Sequence, residues 1–498
     1  MRDLQRLDDA RTIPELFYFA VRERADGEAL RSKVGGRWES LSYTQWEEKV
    51  RALAAVLADD VAPGDTVALM AENCPEWTFV DLAVLSLGGI LAPIYPTSTP
   101  ADVAYIVNDA GASQLVVSDA AQLERVLALR DAGEIDGVER FVVIEDIADP
   151  PAGVVTLGAL LEQGRGMGRS VVDERCESMD PESMATLIYT SGTTGVPKGV
   201  MLSHRNFISN IHAAFNRLGE ERFRETLFLS FLPLSHSLER TCGYYMALRV
   251  GGTIAYAESI EKLVANMAEV QPTVLISVPR IYEKVYAKVR SRASSGFKKS
   301  VFEWALRIGT VKAMAEAEHR PVPALARLMY PLAFKLVFSK LHATLGGRVE
   351  FTVSGGAPLS KEIAIFLKAA GLTVLEGYGL TETAPILTIN GPDWVRFGAV
   401  GQALEDIELR IDPEEGTERD DEGEIVARGP NIMIGYYNKP DATAEVLEDD
   451  GWFRTGDIGY IDGDGFVFIT DRKKELLKTS GGKYVAPSPI ENSLKLSP

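Results

Sequence analysis

Cysteine is scarce in this 498-residue chain: Cys74, Cys176 and Cys242 stand far apart and form no CxxC pair. That excludes a disulfide frame and gives neither metal-ligand nor redox spacing, so a reducing cytoplasm is the expected setting. Long apolar runs are missing too, none approaching the ~18 residues of a membrane-spanning helix. The opening MRDLQRLDDARTIPELF lacks the basic-then-apolar pattern of an export signal. Basic charge is in deficit. The formal net charge of −19 argues against a nucleic-acid partner, whose phosphates need a basic footprint. No short-period repeat is visible, which sets aside solenoids and propellers. No Ser/His/Asp or Cys/His constellation offers a covalent nucleophile.

What is present is ordinary globular composition, 46% hydrophobic and 25% charged, in a chain too long for one core. Tyr43 to Leu57 reads as an amphipathic helix, Thr66 to Met70 as a buried strand, Thr78 to Gly88 as a helix, and Gln114 to Ser118 and Phe141 to Ile144 as strands. A second series of strands follows at Ala185–Tyr189, Thr226–Phe231, Thr253–Tyr256, Val274–Val278 and Val349–Val353. Strands alternating with helices predict an α/β protein with two doubly wound α/β subdomains. After Thr381 short strands at 407–410, 423–428 and 466–470 sit between acidic and Gly/Pro turns, which predicts a small distorted β-barrel. The expected divisions are residues 1–180, 181–380, 381–472 and a remainder of 473–498.

Residues 284–348 stand apart, with 13 Lys or Arg against 3 acidic residues in an acidic chain. Val301, Phe302, Trp304, Ala305 and Ile308 recur there at near-helical spacing. The functional reading is peripheral contact with an anionic membrane or guidance of an acidic substrate; the plain alternative is a solvated helical face.

Chemistry concentrates after the strand-like run Leu187 to Thr190. Gly192 and Gly195 let the backbone approach an anion closely, the hydroxyls of Thr190, Ser191, Thr193 and Thr194 offer donors, and Lys198 supplies a mobile positive charge. This is a phosphate cradle by composition, expected between a strand and a helix. It is not a Walker A loop, because Val196-Pro197 separates Gly195 from Lys198 and Gly199 follows.

The segment Tyr189 to Gly199 closely resembles the signature loop of the adenylate-forming superfamily, which comprises acyl- and aryl-CoA synthetases, peptide-synthetase adenylation domains and luciferases. Further motifs follow in that family's order: Ser354-Gly355-Gly356-Ala357-Pro358, Gly377-Tyr378-Gly379-Leu380-Thr381-Glu382-Thr383, Trp452 to Asp457, and Asp471-Arg472-Lys473-Lys474. The resemblance implies an ATP site in which Gly355, Gly356 and Ala357 border adenine, Tyr378 stacks on it between Gly377 and Gly379, and Thr381 meets the α-phosphate. It further implies that Glu382 holds Mg²⁺, that Asp457 and Arg472 meet the ribose, and that Lys474 is a hinge pivot. Lys478 and Gly481 match positions serving the second half-reaction. An aromatic face, a hydroxyl donor, a hard oxygen ligand and a carboxylate facing a diol suit those tasks. His236, in Phe231 to Ser237, matches the segment that borders the substrate carboxylate.

Ile94 to Thr99 and Ser277 to Tyr286, with the basic insertion behind them, resemble the long-chain acyl-CoA synthetase branch. The implied reaction joins a long-chain fatty acid to AMP, with Lys198, Thr381, Glu382 and His236 around the reacting atoms, and is followed in the full-length enzyme by transfer of the acyl group to CoA. The family's C-terminal lid domain, on the order of a hundred residues, has no counterpart after Lys474, so slow adenylation and little thioester are expected of this chain. Two alternatives stay open: a fatty acyl-AMP ligase that donates to a carrier protein, and a non-catalytic acyl or nucleotide sensor.

Overall fold

Helix Tyr43–Leu57 forms where its amphipathic pattern predicts, and a capping box starts it: Ser42 Oγ accepts from Gln45 N while Gln45 Oε1 accepts from Ser42 N. The next expected helix runs Pro75–Ser86, three residues early, because Pro75 at its first position needs no hydrogen-bond partner for its nitrogen. Every residue of that helix except Glu76 is buried. It is apolar all round because it lies between two sheets and touches strands of both. The computed structural model describes residues 9–190, 196–292, 295–414 and 419–473, with the short strands Leu477–Lys478 and Tyr484–Val485.

One sheet has eight strands, in the order Gly435–Tyr436, Lys198–Ser203, Met184–Thr190, Ile90–Ile94, Thr66–Met70, Ala112–Val117, Arg140–Val143, Val154–Thr156. The six from Met184–Thr190 onward pair in parallel. The other has nine, in the order Gln402–Ala403, Ile386–Ile389, Thr373–Gly379, Phe351–Ser354, Val274–Ser277, Leu227–Ser230, Thr253–Tyr256, Glu28–Val34, Arg37–Ser42. Its six central strands are parallel and antiparallel strands flank them. Two parallel sheets with helices on their faces match the α/β expectation.

The sheets do not divide where the chain was expected to. Glu28–Val34 and Arg37–Ser42 join the nine-stranded sheet, whereas Met184–Thr190 and Lys198–Ser203 join the eight-stranded one. Ile386–Ile389 and Gln402–Ala403 extend the nine-stranded sheet past residue 380. A strand goes to the edge whose backbone and apolar face it completes, whatever the chain distance.

The β-rich unit is present as an open antiparallel sheet in the order Glu408–Pro413, Gly423–Arg428, Phe453–Ile461, Val467–Arg472, not as a closed barrel. Four strands do not curl far enough for the outer two to meet. Residues 284–348 form a helical layer of Gly296–Ala317, Ala324–Ala333, a π-helical turn Phe334–Phe338, and Ser339–Thr344. Phe302 and Ala305, noted for their periodicity, are buried and belong to the inner face. That face packs closely on helix Lys361–Ala369: a Cβ at Gly309 would stand 2.6 Å from the Ala369 carbonyl.

Candidate active site

The parallel strands of the nine-stranded sheet end together, and the loops that leave them make one cavity of about 360 Å³. Binding crevices of α/β sheets open at this end of the strands. Strand Phe351–Ser354 delivers Gly355 and Gly356, and strand Thr373–Gly379 delivers Gly377, Tyr378 and Gly379, followed by Thr381 and Glu382 on a 3₁₀ turn. Thr190 enters from the eight-stranded sheet, Arg472 from the end of the four-stranded one, and His236 from the loop after Leu227–Ser230. Gly379 admits no side chain, since a Cβ would stand 1.6 Å from the Pro385 carbonyl oxygen.

Three polar chains tie these parts together. Tyr378 Oη donates to Asp457 Oδ2 at 2.8 Å, and Arg472 Nε lies 3.4 Å from Asp457 Oδ1. Asp457 and Arg472 are register partners on adjacent strands, so the pairing follows from the sheet. Lys198 Nζ sits 4.7 Å from the centre of the Tyr436 ring, and Tyr436 Oη donates to Glu382 Oε1 at 2.8 Å. Burial and the neighbouring Glu382 charge raise the Tyr436 phenol, which holds it as the donor. Leu238 N donates to His236 Nδ1 at 3.1 Å, which places the proton of the neutral ring on Nε2. Burial lowers the pKa of His236.

A family model described as AMP-binding enzyme matches residues 17–437. The chain belongs to this family. Similar proteins include the long-chain-fatty-acid–CoA ligase FadD15 of Mycobacterium tuberculosis, 34% identical over 93% of this chain and 75% of that protein. They also include the long-chain-fatty-acid–CoA ligase ACSBG2 of Homo sapiens, 32% identical over 97% of this chain and 72% of that protein. Long chain acyl-CoA synthetase 7, peroxisomal, of Arabidopsis thaliana is 34% identical over 97% of this chain and 68% of that protein. Among solved structures, ATP-bound MatB from Rhodopseudomonas palustris superposes with a TM-score of 0.73 at 26% identity, over 98% of this chain and 84% of that one. The anthranilate CoA ligase AuaEII with anthranoyl-AMP shares the fold, with a TM-score of 0.76 at 20% identity over 98% of this chain and 82% of that one.

In this AMP-binding enzyme the sequence-named residues divide into three groups. Thr190, His236, Gly355, Gly356, Gly377, Tyr378, Gly379, Thr381, Glu382 and Arg472 line the cavity. Asp457 and Lys198 stand behind the lining, joined to it through Tyr378 and Tyr436, and Ala357 lies exposed beyond it. Ser191, Gly192, Thr193, Thr194 and Gly195, with Lys474, Gly481 and the Lys478 side chain, lie outside the described residues. Thr190 and Lys198, on either side of the cradle, are register partners in an antiparallel pair. A strand, Lys198–Ser203, therefore follows the cradle where a helix was expected, and the helix His204–Leu218 begins only after the Ser203 cap.

Besides apolar lining residues such as Leu238 and Ile389, two hydroxyl-bearing residues of the site are not singled out by the sequence motifs. Tyr436 reaches Lys198 because Gly435–Tyr436 pairs with Lys198–Ser203, and its only local mark is the aromatic pair it forms with Tyr437. Ser237 is buried and its hydroxyl lies 3.4 Å from that of Thr381.

The residues present fit an Mg²⁺ ion brought in with a nucleotide. Among the described residues no cluster of three or more His, Cys, Asp or Glu could cage a metal alone. Glu382 faces the cavity with Oε1 held by Tyr436, and Oε2 has no protein donor among the described residues. One carboxylate supplemented by substrate phosphates is the usual protein share of a magnesium site.

Proposed function

We propose that this chain activates a long-chain fatty acid with ATP, forming acyl-AMP and pyrophosphate, and passes the acyl group to CoA. The observation that carries the reading is the meeting of Tyr378, Thr381, Glu382, His236 and Arg472 in one cavity whose rim includes Thr190. The names of the relatives support the choice of acid and acceptor.

In the first step a carboxylate oxygen of the acid attacks the α-phosphorus of ATP. The bond to the bridging oxygen breaks, and pyrophosphate leaves with the electron pair. Tyr378 offers its face to adenine and Asp457 accepts from the ribose hydroxyls. Thr381 donates to the α-phosphate, and Lys198 draws negative charge toward the leaving phosphates. His236 Nε2–H orients the attacking carboxylate. Mg²⁺, held by Glu382 and the phosphates, would neutralise the charge that builds on them. With no covalent intermediate on the protein, catalysis is positioning together with charge stabilisation. The CoA thiolate then attacks the acyl carbonyl carbon and AMP departs.

The test is an ATP–pyrophosphate exchange panel over acids of increasing chain length, followed by thioester assays with CoA and with an acyl carrier protein. Exchange that rises with chain length and thioester on CoA support the reading; no exchange with any fatty acid would refute it. Thioester on the carrier alone would move the acceptor.

Replacing Tyr378 by Phe keeps the ring but removes the donor to Asp457. The KM for ATP is expected to rise about fivefold, equivalent to ~1 kcal/mol for one hydrogen bond, with kcat little changed. Steady-state kinetics with ATP varied checks this.

A pH profile checks His236. Because burial lowers its pKa, the ring stays neutral as pH falls to the ordinary value of 6.5 and protonates only below it. Protonated Nδ1 would face the Leu238 N–H donor to donor and break that turn. Exchange activity is therefore expected to hold from pH 8 to 6.5 and to fall on an acid limb below. That limb should be missing in His236→Gln.

A further inference from the structure

The outer helices of the basic insertion carry a feature that nucleotide chemistry does not use. Helix Ala324–Ala333 and the turn Phe334–Phe338 pack inward through Ala326, Ala333 and Phe338, all buried. The opposite face should then be polar. Instead it presents Leu325, Leu328, Leu332 and Leu336, which are 68, 76, 47 and 49% exposed. Their spacing of three, four and four residues keeps them on one stripe of the helix. Phe297, 84% exposed, opens the neighbouring helix Gly296–Ala317 beside Lys298 and Lys299.

Charge on these two outer segments themselves has one sign, the nearest carboxylate being Glu316 on the neighbouring helix, paired with Lys312 at 2.6 Å. No acidic residue occurs from His319 to Val349 in a chain whose formal charge is −19. Arg327, Lys335 and Lys340 are exposed next to the leucines, and among the described residues none of the three has a carboxylate partner. A large apolar stripe with a cationic rim on one helix face is the form taken by helices that lie in a lipid headgroup layer. No helix among the described residues is long and apolar enough to cross a membrane.

We propose that the Leu325–Leu336 stripe and its basic rim dock this protein on the surface of an anionic lipid bilayer. The leucines enter the boundary between headgroups and acyl chains, and Arg327, Lys335 and Lys340 meet lipid phosphates. A second copy is the poorer occupant. A twofold contact would set the same patch against itself and bring the three cations against their own counterparts.

The test is co-sedimentation of the full chain with vesicles of phosphatidylcholine alone or mixed with phosphatidylglycerol, at low and high salt. Wild type should bind the mixed vesicles, bind phosphatidylcholine weakly, and be released by salt. Leu328→Asp/Leu332→Asp is expected to lower partitioning about tenfold or more while leaving ATP–pyrophosphate exchange without lipid unchanged. Lys335→Glu/Lys340→Glu keeps every leucine and should lose only the part of binding that depends on anionic lipid. The proposal is overturned if wild type stays in the supernatant, or if both variants bind as wild type does. It is equally overturned if the leucine substitutions abolish a lipid-free dimer instead.

Discussion

Replacing Glu382 by Gln is expected to lower the rate of ATP–pyrophosphate exchange by about 10²–10³-fold, the usual loss when a preorganised charge group is taken from a reacting centre. The amide keeps the size of the side chain and can still accept from Tyr436 Oη, so the turn at Thr381–Thr383 should survive. What it loses is the negative charge facing the cavity. The Mg²⁺ concentration needed for half-maximal exchange should rise along with the fall in kcat, and a titration of Mg²⁺ at saturating ATP separates the two effects. A variant with unchanged metal dependence would remove Glu382 from the proposed magnesium site, whatever its rate.

The second large effect is on stability. Arg240 is fully buried on the π-helical turn Glu239–Tyr245, just after His236. Its guanidinium donates to Tyr245 Oη at 2.8 Å, to Thr186 Oγ1 at 2.7 Å and to the Asp81 carboxylate. Asp81 is also fully buried, on the helix between the sheets, and accepts from Tyr245 Oη at 3.0 Å. Trp77, Phe207 and Tyr245 rings stand 5.4–5.8 Å from the guanidinium carbon and keep water away. Arg240→Met would strand the Asp81 charge in this setting, and a loss of about 3–5 kcal/mol is expected in denaturant unfolding. The double variant Asp81→Leu/Arg240→Met removes both charges and should recover much of that loss. A single variant costing less than about 1 kcal/mol, an exposed-pair value, would show that the pair is not desolvated.

These two residues show where reading a sequence stops. Glu382 could be singled out because its neighbours, Gly377 to Thr383, form a contiguous motif whose residue types suit a nucleotide. Arg240 and Asp81 are 159 positions apart, and nothing local marks either as half of a pair. The same contrast runs through the fold. Tyr43–Leu57 and Gly423–Arg428 have the expected bounds, because helix periodicity, a capping residue and flanking turns are local properties. The open edge of the four-stranded sheet and the strand after the phosphate cradle were misjudged, because closure and pairing depend on which backbone edge is vacant nearby.

The order and type of the elements, and the identity of most side chains lining the cavity, were set by the sequence, since each depends on residues within a turn or two of one another. Tertiary structure alone decided that Glu28–Val34 lies beside Thr253–Tyr256, that Tyr436 bridges Lys198 and Glu382, and that the insertion turns leucines outward. Such choices rest on burial and backbone pairing between segments tens to hundreds of residues apart. No short window of sequence contains both partners of such a contact.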